Sequence, residues 1–398
     1  MRKDEAVLVV GAGPVGLSVA LSLAHQGVPV QVIEAESGLT LDPRAGSFHP
    51  PTLEMLEPFG VTAEMHRIGM KVPRWQIRDR QQGLIAEFDI GLIADLTRYP
   101  YRFHLEQHRL TPILYEKLTA FPHAEVHFST RFIHAEQKGD GVEVETSAGV
   151  RRASWVIGCD GGRSAVRKMM GVEFPGFTWP ERFLVVSTLA DFGALGFTSS
   201  AYVADPKEWA AMFHMPHDRP GGLWRLAFPV HPEDGEDAVL AEDEVEARMQ
   251  RFSPRPGRYP VTQTGIYRVH QRVASDWRVG RILLAGCAAH LNNPLGGFGL
   301  NGGVHDAVLL GEYLGNVWRG EAAESLLDLY VRRRRTANID FVQSQSIANK
   351  KLLEEADPVA REARYAELRR IAADKDRARD FLIRSSMIWS VRRAAETI

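Results

Sequence analysis

The sequence predicts an α/β protein in three textures: a parallel-sheet region, a β-rich middle and a helical end. Three observations predict it. The first residues run as strand, glycine-rich turn, helix and strand, the pattern of a βαβ unit. Between about Phe183 and Val269, short runs such as RFLVVSTLAD, SAYVAD, LWRLAFPV and YRVHQRV are broken by Pro and Gly, as in an antiparallel sheet. After about Gly299 the apolar spacing is helical, with many i,i+4 charge pairs.

Each element follows from its residues. Ala6 to Val10 is a short apolar, mostly branched run, as in a buried parallel strand. Gly11-Ala12-Gly13-Pro14-Val15-Gly16 then matches G-x-G-x-x-G. In such a turn the first glycine permits the bend, the second admits a pyrophosphate and the third lets helix and strand pack closely. Leu17, Ala20, Leu21 and Ala24 recur at helical spacing, and Gly27 serves as the stop. Pro29 to Ile33 is the second strand, ending at Glu34, whose carboxylate can accept hydrogen bonds from a ribose. Glu34 in place of an arginine-rich site fits an unphosphorylated adenosine ribose, hence FAD or NAD, which the hexapeptide does not separate. Further on, Val142 to Thr146 alternates as a half-buried strand, and Trp155 to Cys159 and Ile282 to Ala285 read as buried ones. The acidic stretch His231 to Asp237 reads as a solvated turn, and the Arg332 to Arg335 run as a solvated helix face.

Bulk properties set limits. A chain of 398 residues allows two or three domains at roughly 100–200 residues each. The 44% hydrophobic and 25% charged fractions are those of an ordinary globular protein. A net charge of −2 gives no reason to expect nucleic acid or an anionic membrane as partner. Two cysteines, Cys159 and Cys287, cannot build a disulfide framework and are too few for a structural metal site without several histidines beside them, so no metal and a reducing, cytoplasmic location are expected. No stretch approaches the ~20 apolar residues of a membrane span.

Two later segments each follow a predicted strand: CDGGRSAVR (Cys159 to Arg167) and GCAAHLNNPLGGFGLN (Gly286 to Asn301). With the N-terminal hexapeptide, in that order and at those separations, the chain resembles the class A FAD-dependent aromatic hydroxylases. This is the flavoprotein monooxygenase family of para-hydroxybenzoate hydroxylase and phenol hydroxylase. The resemblance runs the length of the chain and includes HQRVASDWRVGRILLAG ahead of the third motif. It implies a Rossmann-like FAD-binding domain with an inserted, mainly antiparallel β substrate domain and C-terminal helices. On that reading residues 1–179 and 274–320 hold FAD, and a short segment near 75–100 faces the substrate domain at 180–273. The helices of 321–398 pack on the core or make a homodimer contact. The implied activity is hydroxylation of a phenolic or heteroaromatic small molecule with O2, through a flavin hydroperoxide. NADH or NADPH is the transient electron donor, without a second βαβ fingerprint of its own.

Carried over residue by residue, the resemblance implies FAD contacts at Gly11, Gly13, Pro14, Val15, Gly16, Glu34 and Ala35. Arg44 would reach the pyrophosphate region and Gln107 the ribityl chain, while Asp160 and Gly161 form the middle turn. Gly286, Cys287, Gly299, Leu300 and Asn301 would complete the site. Asn301 and Gly302 are expected to open a long helix whose N-terminus faces the flavin pyrimidine edge. Pro294 and Gly297 lie where the family's reacting flavin carbon sits and are the catalytic positions. Tyr202, Phe213, His214, Trp224 and Tyr267 could each line a ring pocket, Tyr202, His214 and Trp224 being the substrate-contact candidates, and His290 is expected to pack and cap. Cys287 departs from the pattern, because the family has an aspartate there that accepts a ribityl hydroxyl. Two other readings stay open: an FAD-dependent reductase or dehydrogenase of the same fold, and a flavin-free accessory protein. The W-x-W-x-I-P signature of flavin halogenases is absent.

Overall fold

A computed structural model describes residues 6–41, 45–219 and 221–398. The strand β1 (Val7–Val10), the helix α1 (Pro14–Ala24) and the strand β2 (Val30–Ile33) form the βαβ unit. β1 lies in the middle of a six-stranded sheet, parallel to β2 on one side and to Trp155–Gly158 on the other. Ile282–Leu284 extends the sheet beyond Trp155–Gly158, and Ala124–His127 extends it beyond β2. The strand residues of β1 are buried on both faces, which is why the run reads as continuously apolar.

The turn between β1 and α1 is as tight as its glycines allow. Gly11 sits at φ +107°, where a methyl group would lie 2.7 Å from the Cys159 carbonyl oxygen. A methyl on Gly16 would lie 1.9 Å from the Gly11 carbonyl oxygen, so helix and strand are in backbone contact there.

The second sheet has eight strands, from His290–Leu291 through Val261–Val273, Gly176–Thr188, Leu223–Val230, Ala210–Met215 and Ser200–Ala204 to Arg74–Asp79 and Gly83–Asp89. All its pairings are antiparallel except Ser200–Ala204 with Arg74–Asp79. Alternation splits it into two cores. One face carries Leu184, Met212, Trp224 and Phe228 against Val245 and Met249 of the helix Glu242–Phe252. The other carries Phe183, Tyr202 and Ala227 against Trp75, Phe88, Leu295 and the C-terminal Leu382. We call this the inner face. The C-terminal helices pack on it, with Phe381 stacked on Phe88 at 4.4 Å and the Tyr365 hydroxyl donating to Asp79 at 2.8 Å.

Arg332 to Arg335 is not a solvated face. Arg334 is buried and ion-paired to Asp306, and Arg335 donates to the Ala274 carbonyl. Four consecutive residues at about 100° per step go round the whole helix, so one must point inward. The long helix of the third motif starts at Phe298, one turn before Asn301, and runs to Arg319.

Because the Gly11 carbonyl cannot yield, Gly16→Ala should lose about 1–3 kcal/mol or more, read as a lowered thermal midpoint. Gly13→Ala is the control: no atom lies within 4 Å of the added methyl, and the midpoint should hold.

Candidate active site

The site is built where two helix N-termini meet. α1 is capped by Gly13 and the helix Phe298–Arg319 by Gly297, and neither cap donates a side-chain acceptor. Their free N–H groups and partial positive charge are therefore available to an anion or an electron-rich ring edge. The two ends touch through Val15, whose side chain lies 2.9 Å from a methyl built on Gly286 and 2.6 Å from one on Gly303. Glu34 closes the other end of the turn, its carboxylate accepting from the Ala12 amide at 2.7 Å and the Glu36 amide at 3.0 Å. Ala35 follows it, half-buried.

The middle motif is held by its own capping. Asp160 accepts from the amides of Ala165 (2.7 Å) and Val166 (3.1 Å), and Ser164 caps the Arg167 amide at 2.9 Å. Gly161, at φ +78°, makes the turn. Arg167 then donates to the Gly162 and Ala288 carbonyls at 2.8 and 2.7 Å, which joins this turn to the Gly286–Ala288 turn.

The Gly286–Ala288 turn rests on Asp306. Its carboxylate accepts from the Gly286 amide (3.1 Å), His290 Nε2 (2.8 Å) and Arg334 Nε (2.7 Å). Asp306 is fully buried, and the nearby Arg334 and His290 outweigh desolvation to hold its pKa at about 2. His290 also stacks on Trp277 at 5.4 Å. Cys287 is exposed on this turn.

Pro294 to Gly297 form a second turn, with Gly297 N–H donating to the Pro294 carbonyl at 2.9 Å. Gly296 and Gly297 take φ +111° and +69°, conformations that suit glycine. Asn301 clamps the turn to the N-terminal half: its amide oxygen accepts from His49 N–H (2.9 Å) and Thr52 Oγ1 (2.6 Å), and its nitrogen donates to the Ser47 carbonyl (2.8 Å). Gly299 and Leu300 lie half-buried in the same helical turn. Gln107 opens the helix Gln107–Thr119, its amide bonded to the Ala45 carbonyl at 2.8 Å. Arg44 lies outside the described residues.

The substrate candidates separate. Tyr202 is on the inner face, and its hydroxyl accepts the Gly296 amide. Trp224 and His214 stack on each other at 4.7 Å on the opposite face, where Trp224 packs in the core with Phe192. Register decides this: His214 pairs with Trp224, whereas Phe213 pairs with Arg225 one step along and so takes the inner side. The structure therefore does not bring His214 and Trp224 to Tyr202. It brings Tyr267, one of the aromatics the sequence offers for the pocket, to the inner face beside Phe183, together with residues not singled out from sequence. Arg225 forms a buried ion pair with Glu106. Tyr267 stays 38% accessible against Phe183, and burial of its hydroxyl raises the pKa. Arg102, His104 and His49 gather beside Tyr202 and the Gly296 turn. A charged residue at an alternating strand position was the available signal for Arg102 and Arg225.

These residues fit FAD. Two uncapped helix N-termini converge, the space at Gly13 is open, and a carboxylate ends β2. Among the described residues no cluster of His, Cys, Asp or Glu could hold a metal ion, and no helix is long and apolar enough to cross a membrane.

Asp306→Asn should leave Arg334 buried and unpaired, at a cost of about 3–5 kcal/mol at neutral pH. Because the folded pKa of about 2 lies below the ordinary 3.8, the carboxylate contributes stability above pH 3.8 and loses it as pH falls through 2. Urea unfolding across that range should show a shallower acid limb in the variant than in the parent.

Residues 4–345 match the family described as FAD binding domain. The chain is 36% identical to para-nitrophenol 4-monooxygenase of Pseudomonas sp. (strain WBC-3), over 96% of each chain. It is 32% identical to 6-hydroxy-3-succinoylpyridine 3-monooxygenase HspB of Pseudomonas putida (strain DSM 28022 / S16), over 96% of this chain and 98% of that one. The crystal structure of p-nitrophenol 4-monooxygenase PnpA from Pseudomonas putida DLL-E4 superposes with a TM-score of 0.91 at 35% identity, covering 98% of this chain and 99% of that one. With the glycine turns, the carboxylate and the paired helix ends in one fold, this chain belongs to the FAD-binding-domain family, among its class A flavoprotein aromatic hydroxylases.

Proposed function

We propose that this chain is a monooxygenase that hydroxylates a phenolic or heteroaromatic ring, with NADH or NADPH as transient electron donor and O2 as co-substrate. The observation that carries the reading is the polar and aromatic inner face. Tyr202, Tyr267 and the Arg225–Glu106 pair share the side of the sheet nearest the Pro294–Gly297 turn. Residues 180–273, joined by the strands Arg74–Asp79 and Gly83–Asp89, would make the substrate domain. The relatives' names support a ring substrate. In para-nitrophenol 4-monooxygenase and in 6-hydroxy-3-succinoylpyridine 3-monooxygenase, the oxygenated carbon is para to the ring hydroxyl. A hydroxyl there, and more so its anion, donates electron density to that carbon.

FAD would be held by Gly11 to Gly16, Glu34, Asp160 and the Gly286–Asn301 segment, and when bound it supplies the redox chemistry of hydride acceptance and oxygen activation. This chain's own residues supply placement and a dry, polar wall. Tyr202 and Tyr267 stay protonated, because burial raises both hydroxyls, and so can donate to a substrate oxygen. His49 and His104 stay neutral, since burial lowers them to about 3 and about 4. Neither imidazole changes charge between pH 5 and 8, so they hold substrate or water as neutral groups.

The first test is the visible spectrum of purified protein with and without added FAD. Bound flavin, then NAD(P)H oxidation stimulated by 4-substituted phenols with labelled oxygen appearing in the product, is the expected result. Stimulated oxidation without oxygen incorporation would favour a reductase, and no flavin at high added FAD would defeat both.

Cys287 bears on how firmly the cofactor is kept. A thiol is a weak acceptor, and losing a charged acceptor costs roughly 1.5–3 kcal/mol, about ten- to a hundredfold in affinity. Purified Cys287→Asp protein should retain more flavin than the parent through gel filtration. Equal retention would remove Cys287 as the cause of weak binding.

A further inference from the structure

We propose that Arg102 recognises a negatively charged or negatively polarised oxygen of the aromatic substrate, pairing its guanidinium with a phenolate, carboxylate or nitro oxygen beside Trp75, Tyr202 and the Gly296 turn. The inference rests on the hydroxylase reading above and adds the residue that selects the substrate. Arg102 and His104 alternate with Phe103 on the strand Arg102–His104, so both leave the main core, which Phe103 enters. Arg102 is 4% exposed, and its Nε has no hydrogen-bond partner. Its polar contact is a long one, from Nη1 to Ser200 Oγ at 3.4 Å, and it lies over the Trp75 ring at 4.5 Å.

The other buried arginines are compensated. Arg225 pairs with Glu106 and Arg334 with Asp306, while Arg248, whose Nε is also unpartnered, donates to the Pro229 carbonyl at 2.8 Å and lies 4.0 Å from Glu244. Arg167 donates to two carbonyls. Among the described residues Arg102 has no carboxylate partner. A buried guanidinium without one is strongly destabilising in a free-standing core, and a cation–π contact offsets only part of it.

Its neighbours do not supply the missing charge. His104 donates Nδ1–H to the His214 carbonyl at 2.8 Å, leaving Nε2 without a partner. His49 donates Nε2–H to the Gly296 carbonyl at 2.7 Å, leaving Nδ1 without one. Both rings are neutral at working pH. The cluster is therefore singly positive; Trp75 and Tyr202 pack edge-to-face at 5.8 Å beside it, and the Tyr202 hydroxyl ties it to the turn that carries Pro294 and Gly297. An aromatic anion reaching this cluster supplies the charge that Arg102 lacks.

The experiment is a binding titration of FAD-loaded parent and Arg102→Gln, followed by perturbation of the flavin spectrum. The probes are 4-nitrophenol, phenol and 4-nitroanisole, the first two at a pH where they are ionised. The Gln variant should bind 4-nitrophenolate roughly ten- to a hundredfold more weakly. If the phenolate oxygen is the partner, phenolate shares the loss and 4-nitroanisole does not. If the ring substituent is the partner, 4-nitroanisole shares it and phenolate does not. Arg102→Lys, which keeps the charge, should bind between parent and Gln and serves if the Gln variant fails to fold. A folded Gln variant with parental flavin content that binds all three probes within about twofold of the parent would overturn the assignment. A flavin-loaded parent perturbed by none of them would overturn the phenol reading, and the role of Arg102 with it.

Discussion

The arrangement of the site depends on one buried carboxylate. Asp306 ties the Gly286–Ala288 turn, through the Gly286 amide and His290, to Arg334 on the helix Ser325–Ala337. Because the Gly286 turn also receives the Arg167 guanidinium at Ala288, the same anchor reaches the Asp160 turn. Through Val15 it sets how closely α1 approaches the helix Phe298–Arg319. Three segments far apart in sequence are thus connected through a single charge. A neutral amide in its place would keep much of the shape but leave Arg334 uncompensated in a dry interior.

The second constraint is parity. In a strand, successive side chains alternate faces, so a one-residue difference assigns a side chain to a different core. The inner face collects groups with hydrogen-bonding capacity (Arg225, Tyr202, Ser187), while the outer face collects Trp224, Leu226 and Phe228 in an apolar layer. The site's chemistry is concentrated on one side of a sheet whose other side is ordinary packing.

The fold class and the family were legible because they rest on local patterns: a continuous apolar run, glycines at fixed offsets, and helical periodicity after Gly299. The glycine turns show themselves because no other residue fits, as at Gly16. The polar network was not legible, because its members lie 28 residues apart for Asp306 and Arg334 and 119 for Glu106 and Arg225. Nothing local distinguishes Arg334 from its three arginine neighbours; only its angular position on the helix does. Trp224 and His214 suggested a ring-binding wall by residue type, but type does not report which face a residue occupies. The inner-face role of the terminal helices was equally hidden, since their apolar spacing names no partner.

The inner face is completed by residues very distant in the chain. Tyr365 meets Asp79 across 286 positions, and Phe381 covers Phe88 and Trp75. Contacts of such separation close late in folding, because the intervening loop must first lose its entropy. While the βαβ unit can gather from neighbours in sequence, Trp75 and Phe88 wait uncovered for the helices that shield them. The wall on which the proposed chemistry depends thus closes only with contacts of high loop-closure cost, and until then its aromatic surface is open to capture by another chain.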